Sequence, residues 1–316
     1  MTSRHLILGG CGFIGRHVAN RLALNGDTVT LVDRNAPAFI LPSEASTRVN
    51  WRQAELDAPN WDDLVAQADV VHHYAWDSIP ASANKDPGGD LSRNVRPTIN
   101  LLDALVRRGS GTLIFASSGG TVYGNILQLP ISEDHAIRPV TAYGTGKATA
   151  ELYLQLYRQM HGVDCRIARI ANPYGAGQNV ARGLGAVTTF IDKALKNEPI
   201  SIFGDGEVVR DYIHISDVAI CLAEIAKAPI SDEYIFNVGS GLGTSLNQLV
   251  EHLEAGIGRR ITVQRLVGRS FDVSANVLSV ERIKRVYGWS PRLTLREGMR
   301  LTLSNLAEGR EFPDSY

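Results

Sequence analysis

The stretch Leu6-Ile-Leu-Gly9-Gly-Cys-Gly12-Phe-Ile-Gly15-Arg-His-Val18 decides the fold of this chain. A short apolar run leads into glycines spaced three apart, and a helix-like pattern follows them. Glycines at this spacing allow a tight turn, close approach of the backbone to a pyrophosphate, and close packing of helix on strand. The free N–H groups that begin the helix then face the phosphates. The residues predicted to form this dinucleotide site are Gly9, Gly12, Phe13, Ile14 and Gly15.

The first half of the chain alternates short β-branched runs with longer helical patterns, which is typical of βαβ units and a parallel sheet. The predicted strands are 5–8, 28–32, 70–74, 112–117 and 166–171, and the predicted helices include 16–25, 99–107 and 148–160. Turn residues become frequent after Asn172, while 235–238 resembles a strand returning to the main sheet. We therefore predict an α/β fold: a Rossmann-type, doubly wound parallel sheet (1–171 and 211–238) with a smaller, interleaved mixed α/β substrate lobe (172–210 and 239–316).

Charge and cysteine usage limit the possible partners. The 32 Lys and Arg residues nearly balance the 33 Asp and Glu residues, so nothing points to nucleic acid or to an anionic membrane. No apolar run approaches the roughly 20 residues of a membrane helix. The three cysteines lack a CxxC pair, which fits a reducing compartment better than a disulfide framework or a zinc site. We expect a small-molecule partner, no metal, no signal peptide and a cytoplasmic location.

The second predicted strand ends in Val32-Asp33-Arg34, and Asp33 lies 33 − 15 = 18 positions beyond Gly15. An acidic side chain at this distance can hydrogen-bond the adenosine ribose. Because a carboxylate there repels a 2′-phosphate, NAD is the predicted cofactor, while Arg34 keeps NADP open as an alternative. Asp57, in Glu55-Leu-Asp57-Ala, follows what looks like a third strand between 28–32 and 70–74, and it either meets the adenine or is a solvated turn carboxylate.

Tyr143-Gly-Thr-Gly-Lys147 places a phenol and an ammonium group four residues apart, hence on one face of a helix. A phenol with an unperturbed pKa of about 10 is a poor base at neutral pH. A neighbouring Lys and a cationic nicotinamide both favour the phenolate and lower this pKa. The pair therefore predicts a proton-transfer centre, in which Lys147 can also bind the nicotinamide ribose, although surface helices often show the same spacing.

Together with three more segments, these motifs resemble a known family over nearly the whole chain. It is the extended short-chain dehydrogenase/reductases, in particular the NAD-dependent nucleotide-sugar epimerase/dehydratase group typified by UDP-glucose 4-epimerase. The segments are Val71-His-His-Tyr-Ala75, Asn94-Val-Arg-Pro-Thr-Ile-Asn-Leu-Leu and Phe115-Ala-Ser-Ser-Gly-Gly-Thr-Val-Tyr-Gly124. The resemblance implies that Ala75, Asn94 and Ser117 contribute to the cofactor site.

The chain departs from this family at the catalytic hydroxyl. Counted back from Val122-Tyr123-Gly124, the family's Ser or Thr falls on Gly119. Ser118, which would also touch the substrate, Thr121 or a water could take its place. The resemblance further implies an acidic pair before Val-Tyr-Gly in sugar dehydratases and usually a Glu in decarboxylases, where this chain has Gly120 and Thr121. Epimerisation is therefore favoured over both reactions.

Later segments resemble the nucleotide-sugar site of the same family. The resemblance implies that Asn172 and Arg210 contact the diphosphate, and that Arg269 and Asp272 hold a phosphate and the nucleoside ribose. Guanidinium groups suit a diphosphate, and a carboxylate suits a ribose diol. Ser78 begins a segment similar to the substrate loop of epimerases that accept N-acetylated or uronic nucleotide sugars, in which a Ser meets the sugar.

The implied activity is NAD-dependent C4 epimerisation of a nucleotide sugar, with a UDP-hexose as the favoured substrate. Tyr143 would take the C4 hydroxyl proton while hydride passes to NAD and returns to the other face of a transient 4-keto sugar. Two alternatives stay open: a dehydratase, reductase or other dehydrogenase of the same family, and a non-catalytic NAD-binding protein, suggested by Gly119. The resemblance also implies a homodimer built through paired helices, one of them bearing Tyr143 and Lys147.

Overall fold

The computed structural model describes residues 2–57, 59–126, 128–182, 185–268 and 273–312. They belong to two compact units, between which the chain passes more than once. The first unit consists of Met1–Gly124, Ala136–Arg169 and Ala219–Phe236. The second consists of Asn125–His135, Ile170–Val218 and Asn237–Tyr316.

The secondary structure alternates strands and helices through most of the chain. The strands are β1 (Arg4–Leu8), β2 (Thr28–Asp33), β3 (Val49–Gln53), β4 (Val70–His73), β5 (Thr112–Ser118), β6 (Asp164–Ile170), β7 (Asn172–Tyr174), β8 (Ile200–Phe203), β9 (Val209–His214), β10 (Ile235–Val238), β11 (Gly243–Ser245), β12 (Val263–Leu266) and β13 (Ala275–Asn276). The α-helices are α1 (Phe13–Leu24), α2 (Ser43–Ser46), α3 (Trp61–Val65), α4 (Pro80–Ala83), α5 (Pro87–Arg108), α6 (Ala142–His161), α7 (Ala186–Leu195), α8 (Ile215–Lys227), α9 (Leu246–Ile257), α10 (Glu281–Tyr287) and α11 (Leu295–Ala307). A short 3-10 helix spans Val180–Arg182.

A seven-stranded sheet runs in the order β10-β6-β5-β4-β1-β2-β3. β1 pairs in parallel with β2 on one side and with β4 on the other, so the strand order reverses beside β1. In doubly wound sheets, ligands bind outside the carboxyl ends of the strands at such a reversal. The prediction of a Rossmann-type sheet is therefore confirmed, and the reversal lies where the glycine-rich stretch leaves β1.

The core of the first unit explains why its strands are continuously apolar. Leu6, Val71 and Phe115 lie on neighbouring strands and are buried, because helices cover the faces of the sheet. Leu105 of α5 and Leu154 of α6 are buried in the same cluster. Each such side chain stabilises the fold by about 1.5–3 kcal/mol. This packing fixes α5 and α6 against β4 and β5.

α5 is longer than the predicted helix 99–107. It starts at Pro87, after Asp86, whose Oδ1 accepts the N–H of Gly89 at 3.0 Å. The prediction stopped short because Pro97 has no N–H to donate within a helix, and proline usually ends one. Here Pro97 is buried inside the helix. The longer helix carries Asn94 into the protein interior.

The second unit is organised around β9. β11, β13 and β7 all pair with this strand, and β12 pairs with β8 in a separate two-stranded sheet. The predicted division assigned 211–218 to the first lobe, whereas these residues group with the second unit because β9 carries its sheet. Residues 125–135 do so too, since the Ile131 N–H donates to the Val277 carbonyl oxygen at 2.8 Å.

The described residues contain neither a membrane-spanning helix nor a cluster of metal ligands. None of the helices there combines the length and the apolar character that a bilayer crossing requires. Nor do three or more His, Cys, Asp or Glu residues of the described chain gather in a way that could hold a metal ion. Cys11, Cys165 and Cys221 are free thiols.

Candidate active site

The glycine turn joins β1 to α1, and its geometry excludes side chains. Gly9 has a φ of 77°, and a Cβ there would lie 2.6 Å from the backbone nitrogen of Ala75. A Cβ on Gly15 would overlap the carbonyl oxygen of Gly9. The N–H groups of Gly9 and Gly10 donate to the Val32 carbonyl oxygen at 2.9 and 3.2 Å, which ties the turn to β2. The turn is therefore a cradle that only glycine leaves open.

α1 begins directly after this turn with unsatisfied backbone donors. Gly12 is the N-cap residue and has no side chain with which to cap the helix. The N–H groups at the start of α1 and the positive end of its dipole favour an anion such as a pyrophosphate. The residues predicted for this site, Gly9, Gly12, Phe13, Ile14 and Gly15, are thus brought together. The open cradle and the uncapped helix fit a dinucleotide.

Asp33 ends β2 beside the turn. Its Oδ2 accepts the N–H of Cys11 at 3.1 Å, and its Oδ1 accepts the N–H of Asn35 at 3.2 Å. A carboxylate has further lone pairs, so Asp33 can still accept hydrogen bonds from a ribose diol. Arg34 is engaged elsewhere, with its Nη1 3.0 Å from Asp77 Oδ1. Asp57 lies exposed in a bend beyond β3.

Asn94 and Ser117 are buried and hydrogen-bonded within the protein. The Asn94 side-chain oxygen accepts the N–H of Asp77 at 2.8 Å, and its Nδ2 donates to Asp90 Oδ1 at 3.0 Å. The Ser117 hydroxyl in β5 donates to a carboxylate oxygen of Glu151. Asn94 therefore fixes the loop that follows β4. The same loop contains Ala75, which packs against Gly9.

Tyr143 and Lys147 lie one turn apart near the start of α6, as their spacing predicts. The helix is capped by Thr141, whose hydroxyl oxygen accepts the N–H of Gly144 at 3.1 Å. Tyr143 is half-buried, while Lys147 is only 3% exposed. The Lys147 Nζ lies 5.9 Å from the centroid of the Tyr143 ring. The interpretation as an ordinary surface helix is wrong for this segment, because the ammonium is inside the protein.

The surroundings of Lys147 are largely aromatic. Its Nζ donates to the Ala116 carbonyl oxygen at 2.7 Å and lies 3.9 Å from the centroid of the Trp76 ring and 4.8 Å from that of Phe115. Burial lowers the pKa of Lys147 to about 7, against the charges of Glu151 and Asp90, which raise it. The group therefore changes its charge close to neutral pH.

A buried ion pair between Glu151 and Arg169 lies below Tyr143 and Lys147, which we call the dyad. Sequence reasoning missed this ion pair. Glu151 is fully buried, and Arg169 is 2% exposed. The Arg169 Nη2 lies 2.7 Å from Glu151 Oε2, and its Nη1 donates to the Tyr123 hydroxyl at 3.0 Å. Glu151 follows Lys147 by four residues, as Lys147 follows Tyr143, so the three share one helix face. This spacing, with an Arg inside an apolar strand, was the available signal.

The hydroxyl groups near Gly119 follow the end of β5. Ser118 is the last residue of this strand, and its carbonyl oxygen accepts the N–H groups of Thr121 and Val122, each at 3.1 Å. The Thr121 Oγ1 is buried and has no hydrogen-bond partner among the described residues. A Cβ on Gly144 would lie 2.6 Å from the Thr121 carbonyl oxygen, so Thr121 packs against the residue next to Tyr143.

Ser78 also has a buried hydroxyl without a hydrogen-bond partner in the described part of the chain. Buried polar atoms in proteins are normally hydrogen-bonded, so orphaned hydroxyls often indicate a polar ligand. Ser78 and Thr121 both belong to the first unit, as do the glycine turn and the dyad. Their chemistry is compatible with the predicted cofactor and sugar.

Asn172 and Arg210 lie on paired strands of the second unit. The Asn172 side chain donates to the Asp211 carbonyl oxygen at 2.9 Å, and β7 pairs with β9 in parallel. The Arg210 Nη1 donates to the carbonyl oxygens of Val209 and Val273 at 2.9 and 2.7 Å. The other two predicted substrate residues, Arg269 and Asp272, lie outside the described residues.

The doubly wound sheet, the glycine cradle and the Tyr-Lys pair define a dinucleotide-dependent enzyme class, and comparisons with known proteins agree. Residues 5–239 match the NAD dependent epimerase/dehydratase family, so the chain belongs to that family. The predicted family and cofactor are thereby confirmed: the protein is of the extended short-chain dehydrogenase/reductase type and uses NAD. It is 33% identical over 299 residues to a putative UDP-glucose 4-epimerase of Methanocaldococcus jannaschii, with 93% of this chain and 95% of the other covered.

Solved structures show the same fold over almost the entire chain. A UDP-glucose 4-epimerase of Thermotoga maritima with UDP-glucose has a TM-score of 0.90 at 29% identity, covering 97% of this chain and 99% of that one. A UDP-glucose 4-epimerase of Thermus thermophilus in complex with NAD has a TM-score of 0.87 at 30% identity, covering 96% and 99%. A relative with another activity, dTDP-4-dehydro-6-deoxyglucose reductase of Escherichia coli, is 30% identical, covering 93% and 94%.

Proposed function

We propose that this protein is an NAD-dependent 4-epimerase of a nucleotide sugar, with a UDP-hexose as substrate. The observation that carries the proposal is the Tyr143–Lys147 pair on one face of α6, with the ammonium buried beneath the phenol. The similarity to UDP-glucose 4-epimerases over nearly the whole chain supports it. One relative is a reductase, so the experiment below distinguishes epimerisation from net reduction.

In the proposed reaction, Tyr143 accepts the proton of the sugar C4 hydroxyl and later returns it. The phenolate needed for this step is stabilised by the Lys147 ammonium. Bound NAD supplies the hydride acceptor and donor, and is restored in each cycle. Between the two transfers the 4-keto sugar must present its other face, so the site has to hold the nucleotide while leaving the sugar free to turn.

We assign the second hydroxyl of the reaction to Thr121, with Ser118 as the alternative. Thr121 is favoured because its hydroxyl is buried and lacks a hydrogen-bond partner in the described chain. Its backbone also packs against Gly144, the residue next to Tyr143. Gly120 and Thr121 provide no acidic side chain directly before Val122-Tyr123-Gly124. The absence of that general acid favours epimerisation over elimination of water.

For the substrate, we propose that Asn172 and Arg210 bind the diphosphate, and that Arg269 and Asp272 hold a phosphate and the nucleoside ribose. Arg210 carries a guanidinium with further N–H donors beyond its two backbone contacts. Ser78 is proposed to meet the sugar through its buried hydroxyl. Asp33 is proposed to bind the adenosine ribose and Arg34 and Asp57 to flank it, while Ala75, Asn94 and Ser117 form the wall toward the nicotinamide.

We also propose a homodimer in which α6 of two copies pack together. Leu152, Leu156 and Met160 are 61, 43 and 64% exposed and are spaced four residues apart, so they form one apolar stripe on α6. Leu156→Glu should convert a dimer to a monomer in light scattering. Leu242→Glu, at a 68% exposed leucine elsewhere, is the control. A wild-type monomer at micromolar concentration contradicts the proposal.

The deciding experiment is incubation of the purified protein with a panel of UDP-, TDP- and GDP-sugars, with products identified by NMR. An epimerase converts one sugar to its C4 epimer with no net change in absorbance at 340 nm. A stable keto product or net NADH formation identifies a dehydratase, reductase or dehydrogenase instead. NAD binding without any turnover identifies the non-catalytic alternative that Gly119 suggests.

Tyr143→Phe is the matched variant for this assay. Loss of the phenol should lower kcat about 100- to 10,000-fold while NAD binding persists, because a general acid–base group contributes on this scale. Tyr153→Phe changes a half-buried tyrosine of the same helix and should leave kcat close to wild type. Equal activity of both variants would exclude Tyr143 as the proton acceptor.

A further inference from the structure

Asp90 is a buried carboxylate, 1% exposed, in the first turns of α5. Its Oδ1 accepts a hydrogen bond from Asn94, and no cationic side chain pairs with it within the described residues. Gly146 of α6 lies opposite: a Cβ there would be 3.2 Å from Asp90 Oδ2 and 3.2 Å from Trp76 Cζ2. Trp76 in turn covers the Lys147 Nζ at 3.9 Å. The carboxylate therefore lies beside the backbone that carries Lys147.

Other titratable groups around Lys147 supply little net negative charge. Glu151 is the nearest carboxylate on the same helix, but it is bound by Arg169 through both oxygens, so the pair is close to neutral as a whole. On β4, burial and the charge of Lys147 lower the pKa of His73 to about 3, which keeps this imidazole neutral at physiological pH. Tyr143 provides negative charge only as phenolate. Among the described residues, Asp90 is thus a carboxylate that acts on the ammonium and is not paired with a cation.

We propose that Asp90 is a positioning residue that holds Lys147 in its ammonium form. The inference rests on the role of Lys147 in the proposed function. An ammonium removed from water needs opposing charge, and a carbonyl oxygen and two aromatic rings stabilise a cation less than a full carboxylate does. The missing side chain at Gly146 lets the carboxylate approach. The Asn94 amide holds it in an orientation that leaves Oδ2 directed toward α6.

The expected consequence is a change in the pH at which Lys147 loses its proton. In an effective dielectric of about 20, an opposite unit charge that lies beyond direct contact shifts a pKa by about one to two units. Removing a nearby negative charge lowers the pKa of a cation. Asp90→Asn should therefore lower the pKa of Lys147 by about one unit, so that about tenfold less of it is protonated at pH 8.

The test measures this pKa directly, without substrate or turnover. Full-length protein labelled with ¹³Cε-lysine is titrated by NMR, and the Lys147 signal is assigned by its loss in Lys147→Met. We expect Asp90→Asn to titrate about one unit below wild type. Asp103→Asn is the matched control: Asp103 is also on α5 and accepts the Tyr157 hydroxyl of α6 at 2.6 Å, but it lies away from Lys147. It should leave the signal unchanged.

The pH dependence of kcat provides a second measurement, which would not change if the role of Asp90 were purely structural. If the protein is an epimerase, Asp90→Asn should shift the alkaline limb of its kcat profile down by about one pH unit, with little change in the acid limb. A folded Asp90→Asn protein with the wild-type Lys147 pKa overturns the inference. Should Asp90→Asn not fold, Asp90→Ser removes the same charge and is judged by the same shift. A lack of epimerase activity affects only the proposed function, since the NMR titration still decides.

Discussion

The glycine turn and the inner face of α6 belong to the same unit but are built in opposite ways. At the turn, the groups offered to a ligand are backbone N–H groups, and Gly9 and Gly15 work because they have no side chain. On α6, the groups are side chains, and Lys147 works only if its buried charge is balanced. Ligand binding at the turn depends on empty space, whereas the function of α6 depends on the balance of buried charge. Substitutions that add atoms should damage the turn, whereas those that change charge should affect α6.

The largest effect is expected below the dyad. Arg169→Met removes one partner of a buried ion pair and leaves Glu151 uncompensated, which should lower the free energy of unfolding by about 3–5 kcal/mol. Arg107→Met breaks an exposed pair with Asp62 and should change it by less than about 1 kcal/mol. Urea unfolding of both variants makes the comparison. Similar values for the two would mean that charge balance inside the protein matters no more than at its surface.

Lys147→Met should stabilise the fold while removing activity. In the folded protein burial lowers the pKa of Lys147 to about 7, against 10.5 for the unperturbed group. Between these values the unfolded chain binds more protons, so stability rises with pH from about 7 to 10.5. At pH 7 the variant should gain on the order of 4 kcal/mol over wild type, and about half as much at pH 9. Urea unfolding at both pH values checks the sign. A stability difference between variant and wild type that is larger at pH 9 than at pH 7 would contradict the prediction.

The glycine turn should respond to added atoms instead. Gly9→Ala places a methyl group 2.6 Å from the Ala75 nitrogen at a positive φ, so NAD should bind about 30-fold more weakly, or about 2 kcal/mol. Isothermal titration calorimetry measures this. Gly88→Ala, where a Cβ meets nothing within 4 Å, is the control and should bind NAD normally. Equal affinities for both variants would remove the spatial argument.

The smallest effect is expected at the adenosine end. Asp33→Asn should weaken NAD binding about tenfold, or about 1.4 kcal/mol, and reduce the preference for NAD over NADP, because it removes a carboxylate that repels a 2′-phosphate. Asp57→Asn removes a carboxylate that is proposed only to flank the ribose, at an exposed bend, and should weaken NAD binding less than Asp33→Asn does. If Asp57→Asn proves the more damaging substitution, the ribose contact has been assigned to the wrong carboxylate.

The turn could be predicted from sequence because its function is local. The spacing of Gly9, Gly12 and Gly15 after an apolar run carries the geometry, and Asp33 follows from the length of one βα unit. Tyr143 and Lys147 were identified for the same reason, since four residues of helix bring them to one face. These features depend on distances along the chain, which a sequence displays directly.

What escaped prediction depends on packing between distant segments. Arg169 and Glu151 meet because β6 lies beside the buried face of α6, and neither residue shows this alone. Asp90 was overlooked because Pro97 argued against a helix over the first half of α5. Asp90 was therefore not placed on a helix that faces α6. The burial that gives Lys147 its low pKa comes from Trp76 and Phe115, which lie on other elements.

The pairing of β10 with β6 has a consequence for how the protein is made. The N–H groups of Ile167 and Ala171 donate to the carbonyl oxygens of Tyr234 and Val238, at 2.7 and 2.9 Å. A nascent chain that has emerged only as far as β6 therefore exposes an unpaired strand edge, which invites association with other chains. Co-translational folding of the cofactor-binding sheet has to wait until β10 has left the ribosome. Truncation after residue 171 should accordingly yield aggregates.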